Sequence, residues 1–269
     1  MKTEIVFYGH AALGLTIGQH KLLVDPYFTG NSAAKVSARD VCADYILVTH
    51  GHGDHVGDAV DIAKRCGATC VANAEICRWL GAKGLKTHAQ HIGGGFTYPF
   101  GYLKLTNALH GSLLPDGSDG GNPAGFLLTT PDGLKIYMAG DTGLFGDMRL
   151  IGEEGLAVAV LPIGDNYTMG PADALRAVKL LAPQAVIPIH YNTFPVIHQD
   201  VQAWKKQVEE ETQSRVVILA PGESFLLEKG ARSRHYGTIQ QKTRERPFTP
   251  GTVAHRALPG VALRVCASI

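Results

Sequence analysis

The string His50-Gly51-His52-Gly53-Asp54-His55 places three imidazoles and one carboxylate in six consecutive residues, just after Tyr45-Ile46-Leu47-Val48 and Thr49. Imidazole nitrogen with carboxylate oxygen is a donor set for zinc, iron or manganese. In an extended loop His50 and His52 point the same way, so both can reach one ion. The small Gly51 and Gly53 permit the tight backbone path this requires. A histidine-rich surface loop that binds nothing is the alternative, but a chance HxHxDH string is rare.

Two cations need more ligands than these four. His110 follows the strand-like Tyr102–Leu109, Asp141 follows Ile136-Tyr137-Met138-Ala139 and Gly140, and His190 follows Ala185-Val186-Ile187-Pro188-Ile189. Each is polar, ends an apolar strand and opens a loop, which is where a sheet holds ligands while leaving them accessible. Any one alone reads as an ordinary strand-end residue. All three in that order after HxHxDH read as the rest of a metal centre.

The elements that must position these residues alternate between short apolar runs and helical patterns. Strands are expected at Ile5–Tyr8, Ala12–Ile17, Lys21–Val24, Tyr45–Thr49, Ala68–Ala72, Tyr102–Leu109, Gly125–Thr130, Leu134–Ala139, Ala157–Leu161, Ala185–Ile189, Arg215–Leu219 and Ser224–Leu227. Helices are expected at Asp58–Arg65, at Asn73–Leu80 behind an Asn N-cap, at Pro171–Leu181 with Pro in the first turn, and near Asp200–Glu211. Two halves, each strand-rich with helices, predict an α/β four-layer αββα sandwich. Gly93-Gly94-Gly95 reads as a flexible turn, not a phosphate loop, because no helix follows it.

This order of motifs resembles the metallo-β-lactamase superfamily over residues 1 to about 230. Within it, the text is most similar to a branch of metal-dependent hydrolases related to the ascorbate phosphate lactonases. The resemblance rests on Tyr8-Gly9-His10, Leu23-Val24-Asp25-Pro26, the HGHGDH string, Ala139-Gly140-Asp141-Thr142-Gly143, Leu161-Pro162-Ile163-Gly164-Asp165-Asn166 and Ile189-His190-Tyr191-Asn192-Thr193-Phe194. It implies the αββα sandwich, a first metal on His50, His52 and His110, a second on Asp54, His55 and His190, and Asp141 bridging. The flavodiiron members usually carry Glu where this chain has His52. The glyoxalase-like members often follow the motif with paired glycines, where this chain has Val56-Gly57-Asp58.

Other residues are candidates for supporting roles. Asp25 is expected to orient a ligating imidazole through its second nitrogen. Asp165 reads either as similar support or as a substrate contact. His10 reads as a substrate contact or proton shuttle, or else as a hydrogen-bonded strand-end residue. The Gly111–Gly125 loop is expected to line or cover the cleft, and Tyr191-Asn192-Thr193-Phe194 to supply an aromatic wall with donors.

Two divalent ions, zinc first with manganese or iron as alternatives, imply hydrolysis by a metal-bridged hydroxide. Asp54 would orient that hydroxide as well as ligate. The substrate class is a small ester, lactone, amide or phosphodiester, with a small carbonyl or phosphorylated compound favoured through the lactonase resemblance. The rival readings are a mononuclear iron oxidoreductase of the persulfide dioxygenase kind, a non-catalytic metal-binding module and an RNA-processing nuclease. Metal analysis separates the first from a two-metal hydrolase.

Composition agrees with a cytoplasmic enzyme of 269 residues, 45% hydrophobic and 18% charged. No apolar stretch approaches the roughly 20 residues of a membrane span, and Met1–Tyr8 does not read as a signal peptide. The five cysteines, Cys42, Cys66, Cys70, Cys77 and Cys266, are odd in number and lack CxxC pairs, so reduced thiols are expected. Residues 231–269 carry six Arg and one Lys against Glu245, a net +6, which leaves −5 of the whole-chain +1 for residues 1–230. The expected catalytic part is thus acidic and offers no nucleic-acid track. The basic extension is expected to be poorly ordered. The expected partner is a small-molecule substrate, and a homo-oligomer stays open.

Overall fold

Alternation along each strand sorts the apolar residues of this chain into three packing layers. The computed structural model describes residues 1–227. Strands β1 (Thr3–Gly9), β2 (Ala12–Ile17), β3 (His20–Val24), β4 (Tyr45–Leu47), β5 (Thr69–Ala72) and β6 (Lys86–Ala89) lie side by side in chain order. A second sheet holds β7 (Gly95–Tyr98), β8 (Gly101–Asn107), β9 (Ala124–Thr129), β10 (Lys135–Met138), β11 (Val158–Pro162), β12 (Ala185–Ile189) and β13 (Arg215–Val216). The chain then returns to the first sheet as β14 (Ser224–Leu227), antiparallel to β1. The expected boundary at residue 230 and the basic extension 231–269 lie outside the described residues.

One face of each sheet turns inward. Leu22, Val24 and Leu47 of the first sheet pack with Leu103, Phe126, Leu128, Ile136, Met138, Val160 and Ile187 of the second. Their neighbours face outward against helices. Leu23, Ile46 and Cys70 meet Ile62 and Ala63 of α2 (Ala59–Cys66) and Ile76 and Leu80 of α3 (Ala74–Ala82), both of which follow the short α1 (Gly53–Val56). Tyr137, Ala159, Leu161 and Val186 meet Met148 of α4 (Met148–Gly152), Leu175 and Val178 of α5 (Pro171–Leu181) and Trp204 of α6 (Val201–Glu211). This is the four-layer αββα sandwich. Each fully buried Leu, Ile or Phe in it contributes about 2 kcal/mol through removal from water.

Helix ends follow the sequence signals. Asn73 caps α3 by accepting from the Ile76 amide, Asp200 caps α6 by accepting from Gln202 and Ala203, and Pro171 occupies the first turn of α5. Among the described residues no helix is long and apolar enough to cross a membrane.

The cysteine expectation needs correction. Cys42, in the loop before β4, is disulfide-bonded to Cys66, the last residue of α2, with Cα atoms 5.8 Å apart. The fold, not a short spacing motif, brings them together. Cys70 and Cys77 are free and buried, and burial pushes their thiols up to about 12 and about 11. Cys266 lies outside the described residues.

Candidate metal centre

The loops that follow β4, β8, β10 and β12 carry the candidate ligands: His50 to His55, His110, Asp141 and His190 in turn. Beyond β4, Thr49 is fixed by Asp25 from the end of β3: Asp25 Oδ1 accepts from the Thr49 amide at 2.8 Å and Oδ2 from its hydroxyl at 2.7 Å. His52 is in extended backbone, as expected, whereas the chain bends at His50 and Gly51. From Gly53 the chain instead turns into α1, with His52 at the N-cap, so Asp54 and His55 are aimed by a helical turn and not by a loop.

Gly57 closes that turn at φ +42°, and a Cβ there would stand 2.6 Å from the Pro26 carbonyl oxygen. Only glycine tolerates both the left-handed backbone and this approach. Asp58 then accepts from the Phe28 and Thr29 amides at 2.9 and 2.8 Å and locks the 25–29 loop against the motif.

All the predicted ligands converge. His52 Nδ1 lies 3.0 Å from His50 Nε2 and 3.2 Å from His110 Nε2. Asp141 Oδ2 lies 3.0 Å from His190 Nε2 and 3.5 Å from His110 Nε2, while its Oδ1 lies 3.3 Å from His55 Nε2. Three groups of donor atoms, each within 4.8 Å of one another, result: His50, His52 and His110; His50, His55 and Asp141; and His10, Asp54, His55 and His190. His10, His50 and His55 are fully buried, and Asp141 and His190 nearly so.

These donors fit divalent cations on a specific count. His55 Nε2 and Asp141 Oδ1 are buried side-chain atoms with no hydrogen-bond partner, although they face each other at 3.3 Å. They form a buried ion pair without a hydrogen bond, and a cation held between them would supply the partner that each lacks.

The electrostatics divide the imidazoles. Burial pushes His50 well below its ordinary pKa, helped by the charge of His55, and burial also lowers His10 and His110. These rings are neutral, as metal ligands must be. Burial acts the same way on His55, but the carboxylates of Asp141 and Asp25 outweigh it and raise His55 well above the ordinary value. For Asp141 burial works upward and is overcome by His55 and His190, which hold it well below. For Asp54 burial is likewise overcome, by the His10 hydrogen bond and the charge of His55.

Asp25 has the contact expected of it, since its Oδ2 lies 2.9 Å from His55 Nδ1. Asp165 does not join the cluster; its Oδ1 accepts from the Asn166 amide in its own turn. His10 is drawn in: its Nε2 lies 3.1 Å from Asp54 Oδ2, its Nδ1 2.6 Å from Thr193 Oγ1, and its carbonyl accepts from the His190 amide at 2.8 Å. His10, Asp25 and His190 all hold left-handed backbone, at φ 58°, 46° and 53°. Such strain persists where surrounding structure enforces it, and it concentrates at functional sites. Thr193, expected among the donors of the wall, fixes His10, while the contacts of Thr49 and Ser112 had no sequence signal. Ser112 Oγ accepts from the Gly51 amide at 3.0 Å and so ties the 111–125 loop to the motif.

Residues 20–191 match the family model described as a β-lactamase superfamily domain. The chain is 51% identical over 232 residues to a UPF0173 metal-dependent hydrolase of Heliobacterium modesticaldum, covering 83% of this chain and 97% of that protein. It is 46% identical over 225 residues to a UPF0173 metal-dependent hydrolase of Thermus thermophilus, covering 84% and 99%. Among solved structures, a metallo hydrolase from the hyperthermophilic archaeon Ignicoccus hospitalis superposes with TM-score 0.80 at 37% identity, covering 85% of this chain and all of that one. Sandwich and relatives alike define a hydrolase of the metallo-β-lactamase fold that depends on metal. The chain belongs to the UPF0173 family of metal-dependent hydrolases.

Proposed function

We propose that this hydrolase works with two divalent cations and cleaves a small ester, lactone, amide or phosphodiester. His50, His52 and His110 would hold the first ion and Asp54, His55 and His190 the second, with Asp141 between them. Five imidazoles and two carboxylates suit zinc best, with manganese and iron as alternatives. The observation that carries the reading is the pair of buried, unsatisfied atoms His55 Nε2 and Asp141 Oδ1 at the centre of the cluster. When bound, the ions would lower the pKa of a water toward about 7 and polarise the scissile bond.

The chain's own residues orient and exclude. Asp54, partly exposed, is the carboxylate available to orient the attacking water. His10 Nε2 stands 3.1 Å from Asp54 Oδ2, where it holds that carboxylate and can carry a proton on the same atom. Thr193 fixes the ring through Nδ1. The 111–125 loop and Phe194, whose ring lies 5.2 Å from that of His10, shield the centre from solvent.

Elemental analysis after loading, combined with a screen of lactones, thioesters and phosphodiesters, tests this reading. Two zinc or manganese ions per chain with metal-dependent hydrolysis are expected. One iron per chain with oxygen consumption would establish the oxidoreductase alternative.

A further inference from the structure

Four large apolar side chains stand exposed on the loops that carry the centre: Leu109, Leu113, Tyr167 and Val196, at 52%, 58%, 55% and 56% exposure. Each is tied to a site residue. Leu109 precedes His110, and its amide donates to Thr142 Oγ1 at 2.9 Å, next to Asp141. The Leu113 backbone passes within 3.2 Å of the Cβ position of Gly51, between His50 and His52. Tyr167 belongs to the turn held to Thr142 by the Met169 amide at 2.9 Å. Val196 follows Phe194, which packs on His10. Single exposed apolar residues are ordinary, as Leu150 and Leu226 are elsewhere, but four on the loops of one site mark a surface that an apolar ligand can cover.

The charge around this rim has one sign. Segments 8–12, 25–34, 48–58, 108–123, 139–147, 163–170 and 190–200 hold every proposed ligand and the rim, and contain nine Asp, no Lys and no Arg; Asp25, Asp54 and Asp141 belong to the centre, where bound cations would offset them, and the other six form its surround. The basic residues next along the chain, Lys35 and Arg149, lie beyond them. An open pocket of about 440 Å³ beside the 111–125 loop continues the pattern, lined by Asn73, Glu75, His91, Ile92 and Asp119 among others. A phosphate or carboxylate remote from the scissile bond is normally met by an Arg fork or a Lys. Among the described residues this rim offers neither.

We infer that the substrate is neutral and carries an apolar chain or ring, which the Leu109, Leu113, Tyr167 and Val196 rim covers while the acidic surround rejects phosphorylated and carboxylated compounds. This rests on the hydrolase reading and removes the phosphorylated substrates that the lactonase resemblance favours.

The test is the affinity of a hydroxamate series for the zinc-loaded full chain, measured by calorimetry. Acetohydroxamate, hexanohydroxamate, octanohydroxamate and a hexanohydroxamate carrying a terminal phosphate share the metal-binding end and differ in the tail. Affinity is expected to rise about tenfold or more from acetohydroxamate to octanohydroxamate, since each covered methylene adds to binding. The phosphate tip is expected to weaken binding about tenfold relative to hexanohydroxamate. Leu113→Ser with Val196→Ser should narrow the octano-to-aceto ratio, and Leu113→Arg should favour the phosphate-tipped ligand. Equal affinities across the series, or tightest binding of the phosphate-tipped member, would overturn the inference. Tail-dependent binding without turnover of any ester would support the rim and sink the hydrolase reading instead.

Discussion

His10 Nε2 sits 3.1 Å from Asp54 Oδ2, so a residue from the turn after β1 holds a residue of the metal motif 44 positions later. The same ring lies 4.1 Å from that of His190, and its Nδ1 meets Thr193. One buried imidazole therefore joins the N-terminal turn, the motif helix and the loop after β12. Its left-handed backbone is the local cost of that position.

Removing this ring should release Asp54 without removing a donor of the first group. His10→Ala is expected to lower kcat/KM by about 10–100-fold, the range for partners that orient metal ligands. His10→Gln, which keeps a donor toward Asp54, should recover part of the loss. A bell-shaped pH profile that stays unchanged in His10→Ala would remove any proton-carrying role and leave positioning alone.

Loss of a donor should be more severe than loss of an orienting partner. His110→Ala and His190→Ala should each lower bound metal and reduce turnover by more than about 100-fold. Asp141→Asn should weaken the two-metal state, because the carboxylate offsets the repulsion between two cations. The sandwich has three apolar layers of its own, so the metal-free variants should still fold and unfold cooperatively. Unchanged metal content in any of the three would refute its assignment.

Metal uptake should be coupled to a proton on His55. Asp141 and Asp25 raise this group above the ordinary 6.5, so its protonated form stabilises the metal-free fold fully below 6.5, and that contribution is lost as pH rises through the raised value. A cation must displace the proton, so affinity should climb with pH by up to about tenfold per unit. Calorimetry near neutral pH in buffers of different ionisation enthalpy should reveal a proton released on loading. Heats independent of buffer would show that His55 is already neutral.

Much of the centre was legible because strand periodicity and strand-end placement are local properties. β2, α5, β12 and β14 have the expected limits, and HxHxDH carries its chemistry in six residues. β6 and β7 were missed for a physical reason. Each is the edge strand at its end of a sheet, and Lys86-Thr87-His88-Ala89 is mostly exposed, so neither shows an apolar alternation. The triple glycine read as a turn runs into β7 at Gly95, with Gly93 in left-handed backbone. The pairings of Thr193 with His10, and of Ser112 with Gly51, span 183 and 61 residues, and no local pattern announces them.

The Cys42–Cys66 disulfide should be measurable as stability. It closes a separation of 24 residues, for which chain entropy gives about 3 kcal/mol. It ties the loop entering β4 to the end of α2, just behind the motif. Reductant, or Cys42→Ser with Cys66→Ser, should lower the melting temperature by several degrees. Alkylation before reduction should leave both cysteines unlabelled. Full labelling, with identical melting in both conditions, would mean that the bond does not form in solution.

The last prediction concerns the basic extension. Every proposed ligand and all three apolar layers lie within residues 1–227, and β14 completes the first sheet by pairing Thr3–Val6 with Ser224–Leu227. A chain ending at Gly230 keeps that strand intact. It should therefore fold, bind two ions per chain and retain the hydrolytic rate of the full-length protein. The measurements are melting temperature, metal content and kcat/KM of the truncated and complete chains side by side, with sedimentation to compare their assembly. A large drop in rate at full metal occupancy, or a change in oligomeric state, would place residues 231–269 in the working enzyme and move the proposed boundary.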